Sequence, residues 1–149
     1  MKDIFLELIS NTTFLTVISG VLVFVLSQLF LELIIVPNKT YKSLKERIGY
    51  TLAMYACYYT NPYRFDREDN ARDKEEYTNA SIEMRKIGSE LSGYIGILPW
   101  YKCYKKKRLK KVRDCLIGIS NGFYQYPNYN PIQDNKGCEK EIKEILKIK

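Results

Sequence analysis

One uninterrupted apolar segment, from Phe14 to Val36, constrains this chain more than any other feature of its sequence. It holds 23 residues, of which only Glu32, near its end, is ionisable. As an α-helix it would extend about 34 Å, which exceeds the roughly 30 Å of a bilayer's hydrocarbon core. The rest of the chain is too short and too polar to surround such a helix on all sides. The segment is therefore predicted to be a transmembrane helix that ends at Pro37.

The charges beside this segment predict its orientation. Lys2 is the only basic residue before the segment, whereas four basic residues follow it closely. Cytoplasmic flanks of membrane helices carry an excess of lysine and arginine. The four are Lys39, Lys42, Lys45 and Arg47. A cleaved signal peptide is the competing interpretation, but the apolar run is long for that role and no small-x-small cleavage site follows it. We expect a single-pass protein with its N-terminus outside and its C-terminal domain in the cytoplasm.

The sequence divides into a lead-in and membrane helix, residues 1–37, and a soluble domain, residues 38–149. In the domain, apolar residues recur every three or four positions, which predicts amphipathic helices packed around a common core. The positions are Leu44, Ile48, Leu52, Tyr55, Tyr59, Tyr77, Ala80, Met84, Ile87, Leu91, Tyr94, Leu98, Leu109, Val112, Leu116, Ile119, Phe123, Ile142, Ile145 and Leu146. The predicted fold class is all-α, with one N-terminal transmembrane helix followed by a cytosolic bundle of about four helices.

Proline, asparagine and glycine mark the predicted helix ends. The first helix of the domain, residues 40–59, should end at Asn61-Pro62, and the second at Pro99. The third should end near Asn121-Gly122. Residues 124–137 are predicted to be a loop before a last helix from about Cys138 to Ile148. A charged loop, residues 64–73, is predicted between the first two helices.

The soluble domain is strongly basic. The chain carries a net charge of +7, and residues 1–36 contribute −2, so the remainder carries +9. Such an excess attracts phosphate-rich partners: anionic lipid headgroups, nucleic acid or nucleotides.

The charge is densest in one aromatic-flanked segment, where eight of twelve residues are basic. The candidate anion-binding residues are Lys102, Lys105, Lys106, Lys107, Arg108, Lys110, Lys111 and Arg113, with Tyr101 and Tyr104 beside them. Lysine and arginine neutralise phosphates, and the rings can stack on bases. A solvated face, or a patch resting on anionic lipid, is the alternative.

Polar and small residues interrupt the apolar segment along one broad side. These candidate pore or helix-interface residues are Thr16, Ser19, Gly20, Ser27, Gln28 and Glu32. Because lipid offers polar side chains no partners, such a side usually faces another helix or water. It indicates either self-association, with an oligomer lining a pore, or tolerated hydroxyls with Glu32 reaching the headgroups.

Nothing in the sequence predicts catalysis. The chain has no histidine, which excludes Ser-His-Asp and Cys-His hydrolase chemistry, and it has no nucleotide-binding loop or metalloprotease motif. Its four cysteines, Cys57, Cys103, Cys115 and Cys138, lack the paired spacing of a zinc site and are predicted to be reduced thiols. We expect a protein that is not an enzyme and that uses no cofactor or metal.

Two blocks of the sequence resemble a family of small bacterial membrane proteins. In that family a single span ends in a proline, and an Arg-x-x-Gly-like turn of helix then leads to a tyrosine-rich stretch closed by Asn-Pro. The matching residues here are Val36-Pro37, Arg47-Ile-Gly49, in which arginine and glycine are one residue closer, and Asn61-Pro62. The second block, residues 80–101, is similar to that family's helix and Ile-Pro-x-Tyr pattern. The resemblance covers residues 30–123, and it implies a bacterial inner-membrane protein.

Some proteins of this kind are effectors of bacterial anti-phage systems. In the Hailong type a membrane channel protein is paired with a nucleotidyltransferase, whose nucleic-acid product controls the channel. The resemblance thus implies an oligomeric, channel-like effector whose basic cytosolic domain senses an anionic nucleotide or oligonucleotide. Its partners would be the lipid bilayer, further copies of the chain, and a nucleotidyltransferase or its oligonucleotide product. The alternative is a membrane-anchored scaffold that holds a partner protein or nucleic acid at the inner membrane without conducting ions.

Overall fold

The computed structural model describes residues 12–64, 71–126 and 128–148, and nearly all of them are helical. The predicted lead-in, residues 1–11, and residues 65–70 of the predicted charged loop lie outside the described residues. The loop prediction is wrong for residues 71–73, because a helix already begins at Ala71. The elements are α1 (Thr12–Phe30), a π-helical turn (Leu31–Ile35), α2 (Val36–Met54), α3 (Ala56–Thr60), β1 (Tyr63–Arg64), α4 (Ala71–Ile97), a 3₁₀ turn (Trp100–Lys102), α5 (Cys103–Asn121), β2 (Tyr124–Gln125) and α6 (Ile132–Leu146). The predicted all-α class is confirmed. The chain divides into two compact units, and the boundary between them lies between Lys39 and Thr40 in the sequence.

In the first unit, α1 is apolar and lies entirely at the surface. None of its 19 residues is buried. The helical segment that it begins, from Thr12 to Met54, is long and apolar enough to span a membrane by length and composition. The sequence prediction of one long apolar N-terminal helix is therefore confirmed.

The predicted helix end at Pro37 is wrong, because helical structure continues through this residue. A π-helical turn, Leu31–Ile35, precedes α2, and in it the Val36 N–H donates to the Leu31 carbonyl five residues back. Proline has no N–H, and its ring normally collides with the preceding helical turn. A locally wider turn accommodates the proline within the helix.

The second unit has a core that matches the predicted helical spacing. All the predicted core positions are buried except Tyr55, Tyr77 and Ile145, which are half-buried and pack against the same cluster. Ile95 and Cys115 are also buried, although neither belonged to the predicted set. The three-and-four spacing therefore identified the inward faces of α2, α4, α5 and α6.

The predicted continuous helix over residues 40–59 is wrong, since α2 ends at Met54 and α3 begins at Ala56. At the break, the buried Tyr59 hydroxyl donates to the Leu52 carbonyl over 3.2 Å. The last carbonyls of a helix lack partners within it, so this tertiary bond stabilises the end of α2. The end before Asn61-Pro62 is confirmed, because α3 stops at Thr60.

The later helix ends were predicted better than the starts. Helix α4 ends at Ile97, ahead of Pro99, and α5 ends at Asn121, as expected. The start of α6 is a correction: it begins at Ile132, within the predicted loop. Proline is well tolerated at a helix start, and the Asn135 N–H donates to the Pro131 carbonyl over 2.8 Å.

A short parallel strand pair was not predicted at all. Strand β1 pairs with β2, so that Tyr63 lies opposite Tyr124. Close to them, the buried Asn135 amide donates to the carbonyls of Tyr59 and Gly122, each over 2.8 Å. Two-residue strands are too short to show alternation, and their pairing depends on these long-range contacts.

Candidate functional site

The basic segment occupies the 3₁₀ turn Trp100–Lys102 and the first three turns of α5. Leu109 and Val112 bury one face of the helix in the core. Because this face packs inward, the opposite face of α5 points to solvent, and Lys107, Lys110 and Lys111 are exposed there. The eight predicted basic residues therefore lie on one helix and its leading turn, but they do not share one role.

Lys105 is packed between two tyrosines of other helices. Its Nζ atom lies 3.5 Å from the ring centroid of Tyr41 in α2 and 6.0 Å from that of Tyr94 in α4. The two rings stack with their centroids 6.2 Å apart. Burial, together with the charge of Lys102, lowers the pKa of Lys105. Lys105 therefore contributes to packing by a cation–π contact.

Burial in this contact also changes the pKa values of the two tyrosines. Burial raises the pKa of Tyr94 to about 12, with a smaller contribution from Tyr41. Burial also raises the pKa of Tyr41, and the nearby Arg108 charge opposes that effect. Tyr41 was not among the predicted core positions. Its position three residues before Leu44 continues the helical spacing, so the signal was present in the sequence.

Three further basic residues are also engaged within the fold. Arg108 donates to the Ile145 carbonyl of α6 over 2.9 Å, and its guanidinium lies 5.9 Å from the Tyr104 ring centroid. Lys111 pairs with Glu141 at 3.4 Å. Arg113 pairs with its neighbour Asp114 at 2.6 Å. The first two contacts join α5 to α6, and all three reduce the charge available to a ligand.

Four lysines remain, of which Lys102 lies in the leading turn. The other three, Lys106, Lys107 and Lys110, we call the lysine stripe. Within the described parts of the chain, none of the three pairs with a carboxylate. They are one helical turn or less apart on α5, a spacing that brings Cβ atoms within about 6 Å of each other. Tyr104, whose side chain is 76 % exposed, lies one turn ahead. The stripe therefore offers three lysine charges that can receive an anion.

The predicted turn residues Tyr101 and Lys102 lie beside one another. The Lys102 Nζ atom is 5.7 Å from the Tyr101 ring centroid. Tyr101 also meets the Trp100 ring edge-on, with centroids 6.1 Å apart.

The polar residues of α1 and the following turn are bonded within their own helix. The hydroxyls of Thr16, Ser19 and Ser27 donate to backbone carbonyls three or four residues back, over 2.7 to 2.9 Å. The Gln28 amide donates to the Glu32 carboxylate over 3.0 Å. The hydroxyls thus need no external donor or acceptor, and the Gln28–Glu32 pair reaches into the π-helical turn.

The described cysteines and carboxylates make separate structural contacts. Cys115 donates to the Glu141 carboxylate over 3.4 Å, and burial next to Cys138 and Glu141 raises the pKa of its thiol. Glu90 accepts two hydrogen bonds from Arg47, one of them over 2.9 Å. Among the described residues, no three His, Cys, Asp or Glu side chains are grouped to hold a metal ion.

No protein-family model matches this chain, and no curated protein or solved structure gives a significant match to it.

Proposed function

We propose that this chain is a non-enzymatic membrane effector. In this proposal several copies place α1 across a bacterial inner membrane, N-terminus outside, and together enclose an ion path. The lysine stripe in the cytoplasm binds an anionic nucleotide or oligonucleotide that controls the path. The observation that carries the proposal is that no residue of the apolar helix α1 is buried in the folded chain.

The exposure of α1 supports insertion into lipid. Its large apolar side chains include Val23, Phe24 and Leu26, which are 64, 70 and 63 % exposed. Soluble proteins rarely leave contiguous apolar patches of more than a few hundred square ångströms in water. A bilayer removes this surface from water, and the basic residues from Lys39 to Arg47 favour the cytoplasm for the domain.

The polar side of α1 supports association between copies. Gly20 has no neighbouring atom within 4 Å of the place where a Cβ would stand, so another helix can approach its backbone closely. The Gln28–Glu32 pair offers polar atoms that a water-filled path would solvate. A path requires several copies, because one helix cannot surround it.

The lysine stripe supports the choice of an anionic ligand. From Leu91 to Arg113 the sequence contains no aspartate or glutamate. Three lysines without carboxylate partners attract phosphates, and the exposed Tyr104 ring can stack on a base. The ligand controls the path only if it binds one conformation more tightly than the other. The role in anti-phage defence, with a nucleotidyltransferase as partner, is proposed on the family resemblance.

The test is conductance of the full chain in bilayers of neutral phosphatidylcholine, with and without short single-stranded oligonucleotides. We expect the oligonucleotide to change the conductance, and Lys106→Gln, Lys107→Gln and Lys110→Gln combined to abolish that response. Three phosphate contacts to a single strand give a log–log salt slope of about −2 for binding, and each lysine removed should reduce it by about 0.7. Lys136→Gln, an exposed lysine of α6, is the matched control.

The path is tested in the same bilayers. Replacing Ser27 and Gln28 together with leucine should abolish conductance while leaving oligonucleotide binding unchanged. If this double variant conducts as the wild type does, Ser27 and Gln28 do not line the path. If the wild type binds the oligonucleotide but does not conduct, the channel proposal is wrong and the anchored scaffold is favoured.

A further inference from the structure

The turn between α4 and α5 exposes an unusual group of side chains. Ile97 is 74 % exposed and Trp100, the only tryptophan of the chain, is 85 % exposed. The exposed Tyr101 and the half-buried Lys102 complete the group, which we call the aromatic turn. Below it, Leu98 is buried, and Pro99 fixes the backbone ahead of the 3₁₀ turn. The fold therefore holds the aromatic turn outward.

The aromatic turn lies at the end of the domain where the domain's chain begins. Tyr94, one helical turn before Ile97, stacks on Tyr41, and Lys105, just after the turn, lies over the same Tyr41 ring. Tyr41 follows Val36, the last residue of the apolar segment, by only five residues. Five helical residues extend about 7.5 Å. If the apolar segment ends at the membrane surface, the short connection keeps Tyr41, and the turn that packs on it, within reach of the headgroups.

The composition of the turn fits that depth. Tryptophan and tyrosine concentrate at membrane–water interfaces, where the ring meets acyl chains and its polar atom meets water. Lysine can extend its apolar stem along the same surface and place its charge among phosphates. Lys102 is the nearest such residue, and no carboxylate lies in the sequence between Leu91 and Arg113.

We propose that the aromatic turn is a second membrane contact, which inserts Trp100 and Ile97 between anionic lipid headgroups while Lys102 binds their phosphates. The contact is separate from the lysine stripe, which lies farther along α5. It rests on the proposed anchoring of α1, because that anchoring brings the turn to the membrane surface. Its effect is to hold the domain against the bilayer.

Trp100 is itself the probe for this contact. The full chain is placed in nanodiscs of phosphatidylcholine alone or with phosphatidylglycerol, and tryptophan emission and acrylamide quenching are measured. We expect a shift of the emission to shorter wavelength and weaker acrylamide quenching in the anionic discs, with quenching by headgroup-level brominated lipid. Lys102→Glu should reverse these changes, whereas Lys136→Glu should not.

The outcomes separate this proposal from the anchoring itself. If the chain does not float with phosphatidylcholine vesicles, the anchoring of α1 fails. If it floats, but Trp100 is as accessible to acrylamide in anionic as in neutral discs, the second contact is overturned while the anchor stands. Protection of Trp100 by an oligonucleotide in neutral discs, without protection by anionic lipid, would also overturn it and assign the turn to nucleic acid.

Discussion

Helices α1 and α4 both carry apolar side chains at helical spacing, yet these side chains are buried in α4 and exposed in α1. Along α4, the residues from Ala80 to Ile95 that face inward are buried by α5 and neighbouring elements. Along α1, no side chain is buried. The hydrophobic effect acts on both, so the proposed function places the partners of α1 in lipid and in other copies. On that proposal, the stability of the domain and the assembly of α1 are separable properties.

The largest difference between the two regions should appear on truncating a leucine in each. Leu116→Ala removes a side chain that is fully buried in α5, and it should destabilise the domain by about 2–5 kcal/mol. Leu22→Ala, in α1, should leave unfolding of the domain unchanged, because that side chain is 56 % exposed. Denaturant unfolding of the full chain in mild detergent, followed by circular dichroism, measures both. Equal losses would mean that α1 is part of the domain's core.

A smaller effect is expected where glycine permits close approach. In Gly122→Ala the new methyl group would overlap the Asn135 amide, which bonds to two carbonyls. We expect a loss of about 1–3 kcal/mol, typical of overpacking. Gly93→Ala in α4 is the matched control: no atom lies within 4 Å, so alanine should raise stability by up to about 1 kcal/mol. The same melts test both, and a neutral Gly122→Ala would show that the Asn135 contacts are dispensable.

The smallest effect is confined to alkaline solution. Since burial raises the pKa of Tyr94 to about 12, the unfolded chain loses this proton near pH 10 while the folded domain keeps it. Stability is therefore fully present below pH 10 and falls as pH rises through about 12. Tyr94→Phe should make this fall shallower. If both proteins lose stability with the same slope, the Tyr94 environment is not the cause.

Local sequence signals predicted the interior of the fold well. Residues such as Met84 and Ile119 were assigned inward faces from spacing alone, and both are fully buried. Spacing succeeds because one helix face must pack against the core whatever the rest of the chain does. The break at Tyr55, the start of α6 and the short strands were missed. They depend on contacts between distant residues, such as the Tyr59 hydroxyl and the Asn135 amide, that no local pattern encodes.

The sequence located the basic segment of the candidate site, but it did not predict which of its residues make contacts within the fold. Counting charges identified the basic segment, but it could not distinguish Lys105, enclosed by Tyr41 and Tyr94, from Lys107 on the outer face. Lys111 and Glu141 are 30 residues apart in sequence, so their pairing was likewise invisible. The error at Pro37 has a local origin, because the rule that proline ends a helix does not allow for the π-helical turn, Leu31–Ile35, that precedes it.

The size of the full chain in mild detergent tests most directly whether other copies cover α1. The wild type and Leu22→Phe, which adds bulk on a side of α1 away from both Gly20 and the Gln28–Glu32 pair, are expected to run as one defined oligomer. Gly20→Leu is expected to dissociate it, although a side chain at Gly20 meets nothing within its own chain. Domain unfolding should be the same in all three. A wild-type monomer would contradict the proposed association and, with it, the channel.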